Sequence, residues 1–291
     1  MNKITGLILG SCLLSTLAGM AAAQDGTIPP PPKVLNIFRE YVKPGKAGAP
    51  HEKAESAFVQ AFRRAKWPTH YLAVSSMSGR PRVLFLTGYD SFDALEKDMK
   101  AQEKNAVFSA AIERAIQADG ELLSDYDASM LTHSEEYSLR STVDIPHMRY
   151  FEISLYRVRA GHDGDWDTIV KMVKAAYEKI PDVSWAAYHV QYGLEGNTYV
   201  IFMPLKSASE VDQGFARDKQ FMANMGEHGM KKFSELSAAA IQTSQNNLFY
   251  FNPKMSYVSD EWIKADPDFW KPKASATIAP KKAAAKPADS H

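Results

Sequence analysis

The stretch Val34-Leu35-Asn36-Ile37-Phe38-Arg39-Glu40-Tyr41-Val42-Lys43-Pro44-Gly45 alternates as a strand does and ends in a Pro-Gly turn. It is answered later in the chain: Val42-Lys43-Pro44-Gly45 matches Val158-Arg159-Ala160-Gly161, 116 positions on. Working outward from this pair, Gly79 before Val83-Leu84-Phe85-Leu86 matches Gly196 before Val200-Ile201-Phe202-Met203 at an offset of 117. Glu103-Lys104-Asn105 matches Asp218-Lys219-Gln220 at 115. An offset that drifts by only one residue either way is what small loop insertions leave in a duplicated unit.

Each copy has the same order of patterns. In the first, Val34 to Val42 alternates with period two, and Ala54, Ala57, Phe58, Ala61, Phe62 and Ala65 then recur at helical spacing, with Pro50 where a first helical turn tolerates it. His70 to Ser76 and Arg82 to Thr87 read as a strand pair about Gly79, followed by helical segments from Ser91 to Ala118 and a strand from Ala128 to Tyr137. In the second copy, Arg149 to Val158 is the strand and Trp166, Ile169, Val170, Val173, Tyr177 and Ile180 form the helix stripe. Strands at Trp185 to Tyr192 and Thr198 to Met203, helices from Ser209 to Ala239 and a strand at Ile241 to Phe251 complete it. Strand, helix, strand, strand, helix, strand is the ferredoxin-like order. A four-stranded sheet with helices on one face leaves its other face bare, and two such sheets in one chain can cover each other.

The strand ending in Val42-Lys43-Pro44-Gly45-Lys46, the amphipathic helix after it and the later acidic helix with Phe92, Leu95, Glu96 and Lys97 resemble the dimeric α/β-barrel superfamily, which contains the antibiotic-biosynthesis-monooxygenase-like and NIPSNAP-like domains. The likeness spans Val34 to Pro253. It implies an α+β fold in which two tandem ferredoxin-like units form a pseudo-dimeric α/β barrel. The expected organisation is an export signal at 1–23, units at 34–140 and 148–253, and an arm with a disordered tail at 254–291, where Trp262, Phe269 and Trp270 strap the arm to the body.

Met1 to Ala23 carries one charge, Lys3, then an apolar run, and closes on Ala21-Ala22-Ala23, the pattern of a secretory signal. A periplasmic or secreted protein is therefore expected. The only cysteine, Cys12, lies inside that signal, so the mature chain has no disulfide, thiol nucleophile or thiolate ligand; Leu9-Gly10-Ser11-Cys12 leaves lipoprotein processing as the alternative. Lys plus Arg and Asp plus Glu are 34 each, and such a balance argues against nucleic acid or an anionic membrane as the main partner. No later stretch is apolar for long enough to span a bilayer. There is no phosphate-cradling glycine loop and no nucleophile elbow, which argues against nucleotide hydrolysis and serine-hydrolase chemistry.

Alternation assigns Leu35 and Ile37, with Phe151, Ile153 and Leu155, to the helix-covered face. Asn36, Phe38, Glu40, Glu152, Ser154 and Tyr156 are left for the space between the sheets. His70 and His189 fall on the same side, so the expected ligand-binding set is Asn36, Glu40, His70, Glu152, Tyr156 and His189. Carboxylates and imidazoles in an apolar cavity can orient a ligand, move a proton next to a carbonyl, or hold a metal or haem iron. The expected function is binding of a small apolar or aromatic molecule in the inter-sheet cavity, with no cofactor and no metal assigned. The alternatives are a cofactor-free monooxygenase or isomerase, with His70 or His189 as base and Tyr156 as donor, and a haem-binding protein. His51 and Glu55, four apart on a helix, have metal-ligand spacing but read as an exposed surface pair. Glu227-His228-Gly229 reads as a helix break, and self-association is left open.

Overall fold

The computed structural model describes residues 28–271. The expected export signal with Cys12, and the tail from Lys273, lie outside the described residues. The first unit runs β1 (Val34–Val42), α1 (Ala49–Ala65), β2 (Tyr71–Ser76), β3 (Arg82–Tyr89), α2 (Phe92–Lys104), α3 (Ala106–Gly120) and β4 (Leu123–Leu139). The second runs β5 (Tyr150–Val158), α4 (Asp163–Tyr177), β6 (Trp185–Tyr192), β7 (Asn197–Leu205), α5 (Ser209–Ala240) and β8 (Ile241–Phe251). Two short helices, α6 (Asp260–Ala265) and α7 (Pro267–Trp270), follow. No helix among the described residues is long and apolar enough to cross a membrane.

Local chemistry sets the element ends. Pro50 stands in the first turn of α1, and Lys66 closes it in the left-handed conformation. Asn105 ends α2, and its side chain accepts from the Phe108 amide to start α3. Helix α5 breaks at Gly226, with φ 69° and ψ 167°, one residue before the break read from Glu227-His228-Gly229.

Within each unit the strands lie in the ferredoxin-like order, β4-β1-β3-β2 and β8-β5-β7-β6. The two sheets join through antiparallel β2–β8 and β4–β6 pairs into a closed eight-stranded barrel. Closure removes the strand edges that each unit alone would leave unpaired. The chain is thus an α+β pseudo-dimeric α/β barrel.

The inside and outside of the strands are reversed from the sequence expectation. Leu35 and Ile37 of β1, with Phe151 and Ile153 of β5, belong to the barrel's interior core together with Leu84, Leu86, Val200, Phe202 and Phe249. Phe38 instead packs with Val59 and Phe108 of the helix layer, and Tyr156 with Trp166 of α4. Period-two alternation says which residues share a face but not which face is the lumen, and here both faces are covered and both demand apolar groups.

One end of the barrel is sealed by the chain after β8. Ser256 Oγ accepts from the Ala73 amide at 2.9 Å, and Tyr257 donates to the Trp67 carbonyl at 2.8 Å. Trp270, 1% exposed, joins the interior core and donates from Nε1 to the Pro146 carbonyl at 2.8 Å. Arg149 pairs with Asp266 and stacks 4.0 Å over the Phe269 ring, fixing the arm to the start of β5.

Candidate functional site

The opposite end of the barrel is hollow. Its cavity measures about 630 Å³, within the range of small-molecule pockets. The floor is apolar: Ile37, Leu84, Ile153, Val200, Phe202 and Phe249. The wall turns cationic toward the mouth, where Arg39 of β1, Arg82 of β3 and Arg157 of β5 stand on strand ends beside Arg80 of the β2–β3 turn. Asp127 of β4 is the one carboxylate among the lining residues.

These four cations are not equivalent. Arg39, 8% exposed, pairs with Asp127, which lies opposite it in the β1–β4 ladder. Arg157 reaches Glu195 at 3.2 Å, and Arg80 lies 3.9 Å from Asp125 and 4.1 Å over the Tyr41 ring. Arg82 has no carboxylate partner among the described residues. Its guanidinium donates to the Arg80 carbonyl at 2.8 Å and sits 4.9 Å over the Phe249 ring. Burial and the neighbouring Arg39 lower its hold on its proton, against an opposing pull from Tyr41. Gly79 makes room for this arrangement: a Cβ there would lie 2.8 Å from Asn247 Oδ1 and 3.1 Å from Arg82 Nη1. The site is an apolar bowl with an unneutralised guanidinium at its lip, suited to an anionic head on an apolar body.

None of the six residues expected from sequence lines this cavity. Asn36 is half-buried, and its Oδ1 has no hydrogen-bond partner. His70 precedes β2 and stacks on Tyr257 at 4.7 Å; burial lowers its pKa, against the nearby charges of Glu261 and Asp260. Glu152 accepts from Asn246 Nδ2 at 2.8 Å. Tyr156 packs against Trp166 with ring centroids 5.3 Å apart, and burial raises its pKa. His189 contacts Asn197 Oδ1 at 2.8 Å and stacks on Tyr199 at 4.7 Å. The two histidines therefore have separate aromatic partners and share no pocket wall.

Glu40 points away from the lumen into a buried cluster between β1, α1 and α3. There it meets His51 and Glu55 of α1 and Asp119 of α3. His51 and Glu55 are each 2% exposed, so the surface pair read from the sequence is in fact interior. Nothing in an i to i+4 spacing separates a pair on the exposed stripe of a helix from one on the buried stripe. Burial disfavours the charge on His51, but Asp119 and Glu40 beside it outweigh that and hold its pKa up at about 9. Burial raises Glu40 and, with Glu40 and Asp119 adding their repulsion, holds Glu55 well above the usual carboxylate range.

The arginines of the mouth were missed by the sequence reading, although a signal was present. Arg39 continues the parity of Leu35 and Ile37, and Arg157 that of Ile153 and Leu155. A cation ending an apolar face marks the rim of a lumen.

No protein-family model matches the chain, and no curated protein matches it in sequence. Among solved structures, it is similar to an anthrone oxidase-like protein, with 13% identity over 78% of this chain and 94% of that one and a TM-score of 0.52. It is also similar to a candidate monooxygenase from Fusobacterium nucleatum, at 11% identity, 76% and 93% coverage and a TM-score of 0.48. A haem-binding protein from Thermus thermophilus matches at 14%, with 82% and 98% coverage and a TM-score of 0.43. The likeness to the anthrone oxidase-like protein is one of fold.

Proposed function

We propose that this chain binds a small amphipathic anion, an apolar or aromatic body with a carboxylate or similar head, in the open end of its barrel. The observation that carries this reading is Arg82, a half-buried guanidinium without a carboxylate partner among the described residues, above a floor of Ile, Leu, Val and Phe side chains. A half-buried cation without a counter-charge is held at some cost, and a ligand anion would relieve that cost while the floor takes the apolar body. The lining holds no histidine, and its single carboxylate is engaged by Arg39, which favours binding over proton-transfer chemistry. The signal-like pattern at 1–23 supports a setting outside the cytoplasm, and the sequence resemblance to NIPSNAP-like and antibiotic-biosynthesis-monooxygenase-like domains supports units at 34–140 and 148–253.

The test compares two dyes of nearly the same shape, anionic 1-anilinonaphthalene-8-sulfonate and uncharged N-phenyl-1-naphthylamine. The wild-type protein should bind the anion more tightly. A charge-assisted hydrogen bond contributes about 1.5–3 kcal/mol, so Arg82→Met should weaken the anion by roughly 10- to 100-fold and leave the neutral dye within about twofold. Equal effects on both dyes, or no binding of either, would overturn the proposal. Native mass spectrometry of the purified protein would then identify a carried ligand by a mass that leaves on denaturation.

A further inference from the structure

The cluster of Glu40, His51, Glu55 and Asp119 lies on the far side of β1 from the lumen and takes no part in the proposed binding site. We infer that these four side chains form a binding site for one divalent first-row transition-metal ion of the Zn²⁺ or Mn²⁺ type. All four are buried, and one ligand atom from each lies within 4.8 Å of the others. His51 Nε2 is 2.9 Å from Glu40 Oε2 and 3.3 Å from Asp119 Oδ1. Neighbouring ligand atoms in a shell of about 2.1 Å bonds stand about 3.0 Å apart if octahedral and about 3.4 Å apart if tetrahedral, so this edge of the cluster already has coordination spacing.

The hydrogen bonding of the cluster points the same way. Glu55 Oε1 and Asp119 Oδ1 are shut from water and have no hydrogen-bond partner, although each residue is only 2% exposed. One imidazole N–H cannot serve two carboxylates. Among the described residues no lysine or arginine pairs with Glu40, Glu55 or Asp119. Asp98 shows how this same chain treats a structural buried carboxylate: it accepts from Trp67 Nε1, Thr69 Oγ1, Tyr89 OH and Gln102 Nε2. Three carboxylates beside one imidazole, with two oxygens unsatisfied, lack such donors, and a cation would supply what they lack.

The donor set selects the ion. Three carboxylate oxygens and one imidazole nitrogen suit a borderline divalent ion, whereas Ca²⁺ and Mg²⁺ prefer oxygen alone and soft ions prefer sulfur. A small cavity of about 70 Å³, lined by His51, Gly48, Ser75 and Asn252 among others, borders the cluster on the His51 side. The bound ion clamps α1 and α3 to β1.

The test uses the full chain freed of metal, titrated with Zn²⁺ and separately with Mn²⁺, and follows both the melting temperature and the metal retained after desalting. One equivalent retained and a rise of at least 5 °C are expected. Glu55→Gln keeps the shape and replaces a carboxyl whose ionisation burial already opposes, so it should melt no lower than wild type without metal yet lose the metal-dependent rise and at least tenfold in affinity. His147→Gln and His162→Gln, at histidine–aspartate pairs outside the cluster, should change neither result. The inference is overturned if metal-free wild type gains no stability from either ion, which would leave shared protons holding the cluster, or if Glu55→Gln responds to metal as wild type does.

Discussion

Replacing Trp270 by Ala tests whether the arm after β8 is a structural plug of the barrel. The indole packs against Phe269 at 4.8 Å, Trp262 at 5.3 Å and Phe251 at 6.4 Å between ring centroids, and it donates to the Pro146 carbonyl. Truncating a fully buried aromatic costs about 3–5 kcal/mol, of which the lost hydrogen bond is about 1 kcal/mol. Trp270→Phe keeps most of the apolar area and loses the N–H, so it should cost about 1–2 kcal/mol. Urea unfolding followed by far-ultraviolet circular dichroism reads both values without relying on tryptophan emission. Hydrogen exchange should show β2 and β8 losing protection together with the arm, because Ser256 and Tyr257 join the arm to β2. A loss below about 1 kcal/mol for Trp270→Ala would refute the reasoning, since it would mean that the sealed end is not stabilised by the indole. If deletion of residues 259–271 costs no more than Trp270→Ala, the arm undocks as one unit and its whole contribution is that single value.

Four further outcomes are expected. Gly193→Ala should destabilise by about 3 kcal/mol in the same urea assay, because φ is +95° and the new Cβ would lie 2.1 Å from the Ala128 carbonyl oxygen. Asp98→Ala strands four donors and should cost about 3 kcal/mol, with a larger m-value-independent shift than the exposed control Asp93→Ala. Asp127→Asn frees Arg39 of its counter-charge, so titration with the anionic dye should show binding tightened several-fold and more strongly dependent on salt. His70 has its pKa lowered by burial, so as pH falls below about 6.5 the unfolded chain takes up a proton that the folded chain resists, and stability drops; His70→Gln should flatten that slope in melts between about pH 7 and pH 5.

How far the sequence carried differs from element to element. The order of strands and helices and the turn at Pro44-Gly45 follow from local patterns, and the closed barrel covers both bare sheet faces. Trp262, Phe269 and Trp270 are read from sequence as strapping an arm to the body, and Trp270 joins the interior core with Trp262 and Phe269 packed against it. By contrast, the six candidate residues were chosen on a parity that the alternation could not orient, and the barrel turned Leu35 and Ile37 inward and Glu40 outward.

The sequence by itself therefore determined the periodicities, the order of strands and helices and so the fold class, which rest on neighbours a few residues away. Only the tertiary structure decided which face of β1 meets the lumen, which brought Arg39 of β1, Arg82 of β3 and Arg157 of β5 to one rim and Glu40, His51, Glu55 and Asp119 to one buried point. Those meetings join residues up to 118 positions apart in the first case and 79 in the second. They follow from strand register and helix packing, which no local spacing encodes, so a half-turn of every strand about its own axis would have kept the same pattern and exchanged one site for the other.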